Sequence, residues 1–244
     1  MTTTSVMIVV VVVCGYSVIQ SLFGVGLLVF GTPTLLLAGF SFDEVLAYLL
    51  PCSIAVSFLQ VREDGFTIEP IRRKFLLYAT PAVLSGTLIV LLVLNHKVNL
   101  RPLVGAMLIL TAGMRLVGPL RDRLARFVKT RLSTLLMAMG LLHGLSNLGG
   151  GLLTAIVGSI YTDKRTARKH VAFCYGVMAL IQLTVLVAAT DRGWDWKLQL
   201  ALPLLAGVTY SVVGRKVFDA TRHAVYQWGL TTMIGLFGLI LLTT

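Results

Sequence analysis

The sequence predicts an all-α polytopic membrane protein of about eight transmembrane helices, arranged as two tandem four-helix repeats with glycine-broken first helices. Of its 244 residues, 57% are hydrophobic and 13% are charged, about half the charged share of a soluble domain. Uncharged runs of about 20 residues, the length of one bilayer crossing, recur along the whole chain. These runs do not alternate apolar with polar residues, as the strands of a membrane barrel would.

The positive charge fits a membrane protein. The net charge is +11, and the basic residues lie between the apolar runs. In that position they are typical of loop charges and of side chains that anchor helix ends at the membrane surface. We therefore expect the lipid bilayer as a partner and no nucleic acid.

The first apolar run, residues 5–38, contains no charged residue and is interrupted by glycine and proline. It is too long for one crossing and short for two. We predict a full helix, a break near Gly24 and Gly26, and a short second piece. No basic residue precedes the run and no cleavage site follows it, so we expect a retained helix rather than a signal peptide.

Charged residues bound the remaining spans. The fifth span also lacks charge and also contains a glycine break, at Gly149, Gly150 and Gly151. A basic connector precedes it, at residues 121–131. The other predicted spans are residues 42–61, 72–94, 100–117, 132–161 (the fifth), 168–189, 196–213 and 225–242.

The two halves of the sequence repeat. A shift of 125 residues places Ser21, Gly24 and Gly26 on Ser146, Gly149 and Gly151, and a shift of 122 places Cys52, Gln60, Pro81 and Gly113 on Cys174, Gln182, Pro203 and Gly235. An ordered series of matches with one gap indicates a tandem duplication. We predict two transmembrane repeats, residues 1–122 and 123–244, within one integral membrane domain.

Four crossings per half would give both halves the same orientation, whereas two crossings by each broken run would invert them. With eight crossings, the loops on one side carry 12 Lys and Arg and those on the other carry 9. The positive-inside rule then favours cytoplasmic termini.

The paired glycine breaks are the main candidate site. A helix that breaks at membrane depth must line a cavity or pack within protein, and the amides it exposes suit an anion. Broken segments at corresponding positions in two repeats point to a transporter site. Close packing of small residues, or hydrogen bonding between helices, is the alternative. The candidate substrate-binding residues are Gln20, Ser21, Gly24, Gly26, Thr32, Pro33, Gln60, His143, Ser146, Asn147, Gly149, Gly150, Gly151, Thr154 and Gln182.

Ionisable residues narrow the chemistry. No Asp or Glu lies deep in a span, which disfavours a carboxylate-based cation carrier and is compatible with an anion. His143 could relay protons or be a neutral interior histidine. Arg168 and Lys169 could gate an anion pathway or anchor a helix end. We expect no metal, cofactor or enzymatic activity, because zinc spacings, nucleotide motifs and a nucleophile elbow are missing.

Three segments resemble the TauE/SafE family of membrane permeases. They are Ser-Leu-Phe-Gly-Val-Gly at residues 21–26, leading to Gly-Thr-Pro at 31–33, Gly-Leu-Ser-Asn-Leu-Gly-Gly-Gly at 144–151, and Asp-Lys-Arg-Thr-Ala-Arg at 163–168. The resemblance implies transport of a small sulfur-containing anion, such as sulfite, thiosulfate or a sulfonate, across the bacterial cytoplasmic membrane. Val25, between the first two glycines, departs from a full glycine run.

We expect a secondary transporter that works by alternating access. One alternative is a membrane redox or assembly factor that uses the repeat-equivalent Cys52 and Cys174, and another is a non-transporting scaffold. Coupling to protons, the direction of transport and the oligomeric state stay open.

Overall fold

The computed structural model describes residues 3–64, 70–94, 101–189 and 195–243, which are helical almost throughout and contain no strand. We number the helices α1 to α10 in chain order. Three of them, α2, α4 and α9, include π-helical turns, at Leu27–Gly31, Phe75–Ala79, Ile89–Leu94 and Tyr210–Gly214. The helices are α1 (Thr3–Phe23), α2 (Leu27–Leu37), α3 (Phe42–Asp64), α4 (70–94), α5 (Arg101–Leu116), α6 (Gly118–Ser146), α7 (Gly149–Ile160), α8 (Lys164–Ala189), α9 (196–220) and α10 (His223–Thr243).

Five helices in the described ranges are long and apolar enough to cross a membrane. Three shorter apolar helices accompany them, at Leu27–Leu37, Gly149–Ile160 and Trp228–Ile240. The prediction of an all-α polytopic membrane protein is confirmed. The five long candidates are Thr3–Phe23, Phe42–Glu63, Ile71–Leu92, Lys164–Ala189 and Lys197–Ala220.

The first glycine break is a hairpin turn. The Tyr16 hydroxyl on α1 lies 2.8 Å from the Thr34 hydroxyl on α2. The Tyr16 and Phe30 ring centroids are 6.1 Å apart. In a helix that continued past the break, Tyr16 and Thr34 would be about 27 Å apart at 1.5 Å per residue. α2 therefore runs back along α1.

The second break is also a turn. A Cβ on Gly149 would lie 2.5 Å from the His143 Cβ and 2.8 Å from the Met139 carbonyl oxygen, so α7 folds back onto α6. The predicted basic connector is helical: it is the first part of α6, which kinks at Arg131 (φ −134°). Each broken run is thus a long helix, a reversal and a short helix that returns along it, so each half has five described helical segments rather than the four predicted.

Corresponding helices of the two halves pack antiparallel. On α3 and α8, Glu63 lies near Arg168 and Ser57 lies near Gly176. On α5 and α10, Gly105 lies against Leu242. Towards the other end of this second pair, the Ala112 Cβ is 3.7 Å from the Cβ position of Gly235. The residue numbers rise along one helix as they fall along the other.

Two other pairs run parallel. The π turn of α9 packs on the end of α1, where Gly214 touches Ser21. α4 packs along α6, where Gly140 touches Ala79 and Gly144 touches Val83. The first hairpin thus packs against α9 and the second against α4, the fourth helix of the opposite half in each case. Both turns are buried within the bundle.

Candidate functional site

Two glycines make the first turn. Gly24 has φ +74°, in the left-handed region that other residues rarely adopt. A Cβ on Gly26 would lie 2.5 Å from the backbone nitrogen of Gln20, so a side chain there would collide with α1. The chain reverses within residues 24–26 because both positions lack a side chain.

The second turn lies two residues earlier than the sequence predicts. α6 ends at Ser146, Asn147 has φ 65°, and α7 begins at Gly149. Asparagine tolerates the left-handed region because its short side chain can hydrogen-bond locally. Gly149, Gly150 and Gly151 are therefore the first turn of α7, and the reversal itself is made by residues 147–148.

Side chains from neighbouring helices satisfy the amides of the first turn. The Gln20 Oε1 accepts from the Leu27 amide at 3.3 Å, and its Nε2 donates to the Ser57 hydroxyl at 3.1 Å. The Tyr175 hydroxyl accepts from the Val29 amide at 3.0 Å. The expectation that bare amides line this turn is wrong for these two groups, since protein atoms already bind them.

Gln60 supports the same turn from α3. Its Nε2 donates to the Gln20 carbonyl at 2.9 Å, and the Gly24 amide donates to that carbonyl at 2.8 Å. The Gln60 Oε1 is buried without a hydrogen-bond partner in the described part of the chain. Gln20 and Gln60 thus fix the conformation of the first turn.

The two turns touch each other. The Asn147 Nδ2 donates to the Thr32 hydroxyl on α2 at 2.7 Å. A Cβ on Gly150 would lie 2.8 Å from Val29 Cγ2 and 3.2 Å from Val25 Cγ1. The absence of a side chain at Gly150 therefore lets the start of α7 approach the first turn. Val25, which departs from the family pattern, fills the contact.

The second turn has unpartnered polar atoms. Both ring nitrogens of His143, the Asn147 Oδ1 and the Gln182 Oε1 make no hydrogen bond of normal geometry among the described residues, although the His143 ring and the Gln182 side chain lie beside each other. All three residues are completely buried. An unpaired buried polar group costs about 1–3 kcal/mol. Such groups in a native protein indicate a water, an ion or a functional role.

The same end of α7 has no side-chain cap. The Gly151 amide reaches the Leu148 carbonyl at 3.3 Å. The amino end of a helix carries partial positive charge and donors that point outward, which suits an anion. This uncapped end and the four unpartnered atoms lie at one turn.

Three candidate hydroxyls bond within their own helices. Those of Ser21, Ser146 and Thr154 donate to carbonyls three or four residues earlier, at 2.6 to 2.7 Å. Pro33 is buried beside Thr32 at the π-to-α boundary of α2. These residues surround the turns, and the bonds of the three hydroxyls stabilise the backbone of their own helices.

The candidate gate lies beneath the first turn. Arg168 is 1% exposed, and its Nη1 donates to the Ser21 carbonyl at 3.3 Å. Its guanidinium carbon is 3.6 Å from the centroid of the Phe218 ring, and its Nη2 is 3.8 Å from the Glu63 carboxylate. Lys169 is partly exposed beside it. Arg168 is therefore buried between the first turn, Phe218 and Glu63 at this end of the bundle.

Tyr175 and Arg72 also lie at buried polar contacts of the bundle, although the sequence did not predict them. The Tyr175 ring lies 6.0 Å from His143, and its hydroxyl caps the other turn. Arg72 is fully buried, and its Nε donates to His170 Nδ1 at 3.2 Å. A lone tyrosine in an apolar helix reads as core, and an arginine at a span boundary reads as an interface anchor, so no signal marked either residue.

The cysteines are free thiols, and Cys52 and Cys174 are buried. The Cys52 Sγ donates to the Tyr48 carbonyl at 3.1 Å, within its own helix. Among the described residues, no group of three or more His, Cys, Asp or Glu side chains could hold a metal ion.

Comparison with known proteins gives one match. The family model described as sulfite exporter TauE/SafE matches residues 7–241. No curated protein and no solved structure matches the chain. The matched region includes both turns and all ten helices, apart from the first four residues of α1 and the last two of α10. The match confirms the resemblance found in the sequence. This chain therefore belongs to the TauE/SafE sulfite exporter family.

Proposed function

We propose that this protein is a secondary transporter, not an enzyme, that moves a small sulfur-containing anion across the bacterial cytoplasmic membrane. Sulfite, thiosulfate and sulfonates are the substrate candidates. The family match supports transport of such anions. The observation that carries the proposal is the cluster of unpartnered buried polar atoms at the second turn, on His143, Asn147 and Gln182.

The substrate binds at the second turn in this proposal. The Gly149 and Gly150 amides and the ring N–H of His143 supply donors, and the dipole of α7 supplies positive charge. The Asn147 and Gln182 side chains complete the polar lining. The first turn contributes the opposite wall through Thr32, which already bonds to Asn147.

The two halves move relative to each other in this proposal. Both turns are buried, so a substrate reaches them only when packed helices separate. The antiparallel pairing of corresponding helices supports a tandem duplication of residues 1–122 and 123–244 with inverted halves. Inverted repeats that rock about a central site are a common basis of alternating access.

Proton coupling would act through His143. An unperturbed imidazole titrates near neutral pH. The His143 ring lies at the second turn, beside the Gln182 side chain, where a proton and the anion could bind together. We propose His143 as the coupling group if a proton gradient drives transport.

Flux in proteoliposomes tests the proposal. Purified protein is reconstituted, and uptake of labelled sulfite, thiosulfate and sulfoacetate is measured against protein-free liposomes. We expect saturable flux of at least one of these anions. Complete lack of flux in correctly folded, reconstituted protein would contradict the proposal.

The scaffold alternative rests on dry packing at the turns. The first turn fits it, because Gln20 and Tyr175 satisfy the amides there. The second turn fits it less well, because four polar atoms on His143, Asn147 and Gln182 lack a partner there among the described residues, against two near the first turn, on Ser17 and Gln60. The redox alternative predicts that replacing Cys14, Cys52 and Cys174 abolishes function, whereas the transporter proposal predicts that flux persists.

A further inference from the structure

Basic residues gather at one end of the bundle. Since the helices alternate in direction from α1 to α10, the connections after α3, α5, α7 and α9 lie at the same end. We call this end the basic face. With the adjoining helix ends, its four connections carry 17 of the 21 Lys and Arg; the other four are Lys97, Arg101, Arg192 and Lys197.

Side-chain contacts place three of these connections together. Glu63, at the end of α3, lies 2.5 Å from the Arg215 Nε on α9 and 3.8 Å from Arg168 on α8. The Lys164 Nζ, at the start of α8, donates to the Thr221 carbonyl at 2.7 Å, after the end of α9.

The fourth connection follows from parallel packing. α6 runs alongside α4 in the same direction, with Gly140 against Ala79. The kink at Arg131 is nine residues before Gly140, so it is level with residue 70, at the start of α4. The basic segment 118–130, which precedes the kink, therefore belongs to the same end.

We infer that the basic face is the cytoplasmic surface of the protein, that it binds anionic phospholipid headgroups, and that both termini lie on the opposite side of the membrane. Lys and Arg in short loops orient membrane proteins with the richer side inside. With the helix directions seen in the structure, 17 Lys and Arg lie at one end of the bundle and 4 at the other, whereas eight crossings gave 12 and 9. The larger difference places the termini outside the cytoplasm, opposite to the location expected from eight crossings.

The segment 118–130 presents its charge outward. Arg123, Arg126 and Lys129 are exposed, whereas Leu124 and Val128 are buried against the protein. A helix with one basic side at the cytoplasmic surface is attracted to the anionic lipids of that leaflet. The exposed basic side of segment 118–130 therefore suits the headgroup of an anionic phospholipid.

Cysteine labelling in intact bacteria tests the sidedness. Thr130→Cys marks the basic face, and Ser41→Cys and Thr243→Cys mark the opposite side; all three positions are exposed. The parent protein gives the background from its own cysteines, two of which are buried. With a membrane-impermeant maleimide, we expect labelling of Ser41→Cys and Thr243→Cys in intact cells, and of Thr130→Cys only after permeabilisation. Labelling of Thr130→Cys in intact cells would overturn the inference.

A lipid comparison tests the headgroup contact. An environment-sensitive fluorophore on Thr130→Cys is compared in nanodiscs of phosphatidylcholine and of phosphatidylcholine with phosphatidylglycerol. We expect a blue shift with the anionic lipid that is lost when Arg123→Gln and Arg126→Gln are added. Identical spectra in both lipids would refute the contact. Neither experiment requires transport, so both outcomes are independent of the proposed function.

Discussion

The two turns of this protein carry related glycine motifs but differ in how their polar atoms are satisfied. At the first turn, Gln20 and Tyr175 bind the amides that the reversal exposes. At the second turn, α7 begins without a side-chain cap, and His143, Asn147 and Gln182 keep unpartnered atoms. The side chains around the first turn therefore act as a structural clamp on its backbone, and the second turn is where we propose that the ligand binds.

Replacing the clamp should give the largest effect. Gln20→Leu removes the bonds to the Leu27 amide and to Ser57 and leaves buried groups unpaired, at about 1–3 kcal/mol each. We expect a loss of about 3 kcal/mol in stability, measured by thermal unfolding in detergent. At the second turn, Gln182→Leu removes a single long bond, from the Gln182 Nε2 to the His143 carbonyl at 3.4 Å, and should cost at most about 1 kcal/mol. Equal losses of stability in Gln20→Leu and Gln182→Leu would contradict the difference that we describe between the two turns.

Replacing His143 should affect transport rather than folding. His143→Leu removes two unpartnered buried nitrogens, so the unfolding temperature should hold or rise. Loss of a hydrogen bond to a charged ligand is worth about 1.5–3 kcal/mol, so flux in proteoliposomes should fall about 10- to 100-fold. Val18 stands at the matching place in the first half, and Val18→Ala is the control. Unchanged flux in His143→Leu would remove this residue from the site.

Glycine positions separate turn geometry from simple helix packing. Gly24→Ala places a Cβ at φ +74° and 3.1 Å from the Arg168 carbonyl oxygen, so we expect a loss of about 1–2 kcal/mol. Gly158→Ala, in α7, meets nothing within 4 Å and should be neutral or slightly stabilising. Thermal unfolding of both variants checks this. A tolerated Gly24→Ala would mean that the first turn can adopt another conformation.

The smallest effect concerns the Tyr175 hydroxyl, which bonds the backbone just after the first turn. Tyr175→Phe removes one hydrogen bond to the Val29 amide and should cost about 1 kcal/mol. Its ring still packs beside Gly150, so flux should change less than in His143→Leu. If Tyr175→Phe lowered flux as much as His143→Leu while costing no more than about 1 kcal/mol in stability, the Tyr175 hydroxyl would belong to the substrate site.

The sequence predicted the breaks because a charge-free run of that length cannot be one ordinary helix, and because the glycines recur at a fixed shift. It did not predict that the chain reverses at them. Run length alone does not distinguish a long tilted helix from a crossing followed by a short return. The contact between Tyr16 and Thr34 shows that the chain returns, and no local sequence pattern predicts that these two residues pair.

The predicted site residues do lie around the two turns, but several of them have a different role from the predicted one. Asn147 was chosen as a polar neighbour of the glycines, yet it makes the reversal itself through its left-handed conformation. The sequence predicts that Gln20 binds substrate, whereas its side chain bonds the Leu27 amide and Ser57. Which partner a buried amide finds depends on how distant helices pack, and residue type and spacing do not determine that.

The most direct test of the account is binding of sulfite to the purified protein, followed as a ligand-dependent rise in unfolding temperature. We predict that sulfite raises the unfolding temperature of the unmodified protein and of Tyr175→Phe, and that the rise disappears in His143→Leu. A rise that survives His143→Leu would contradict the claim that the second turn holds the anion.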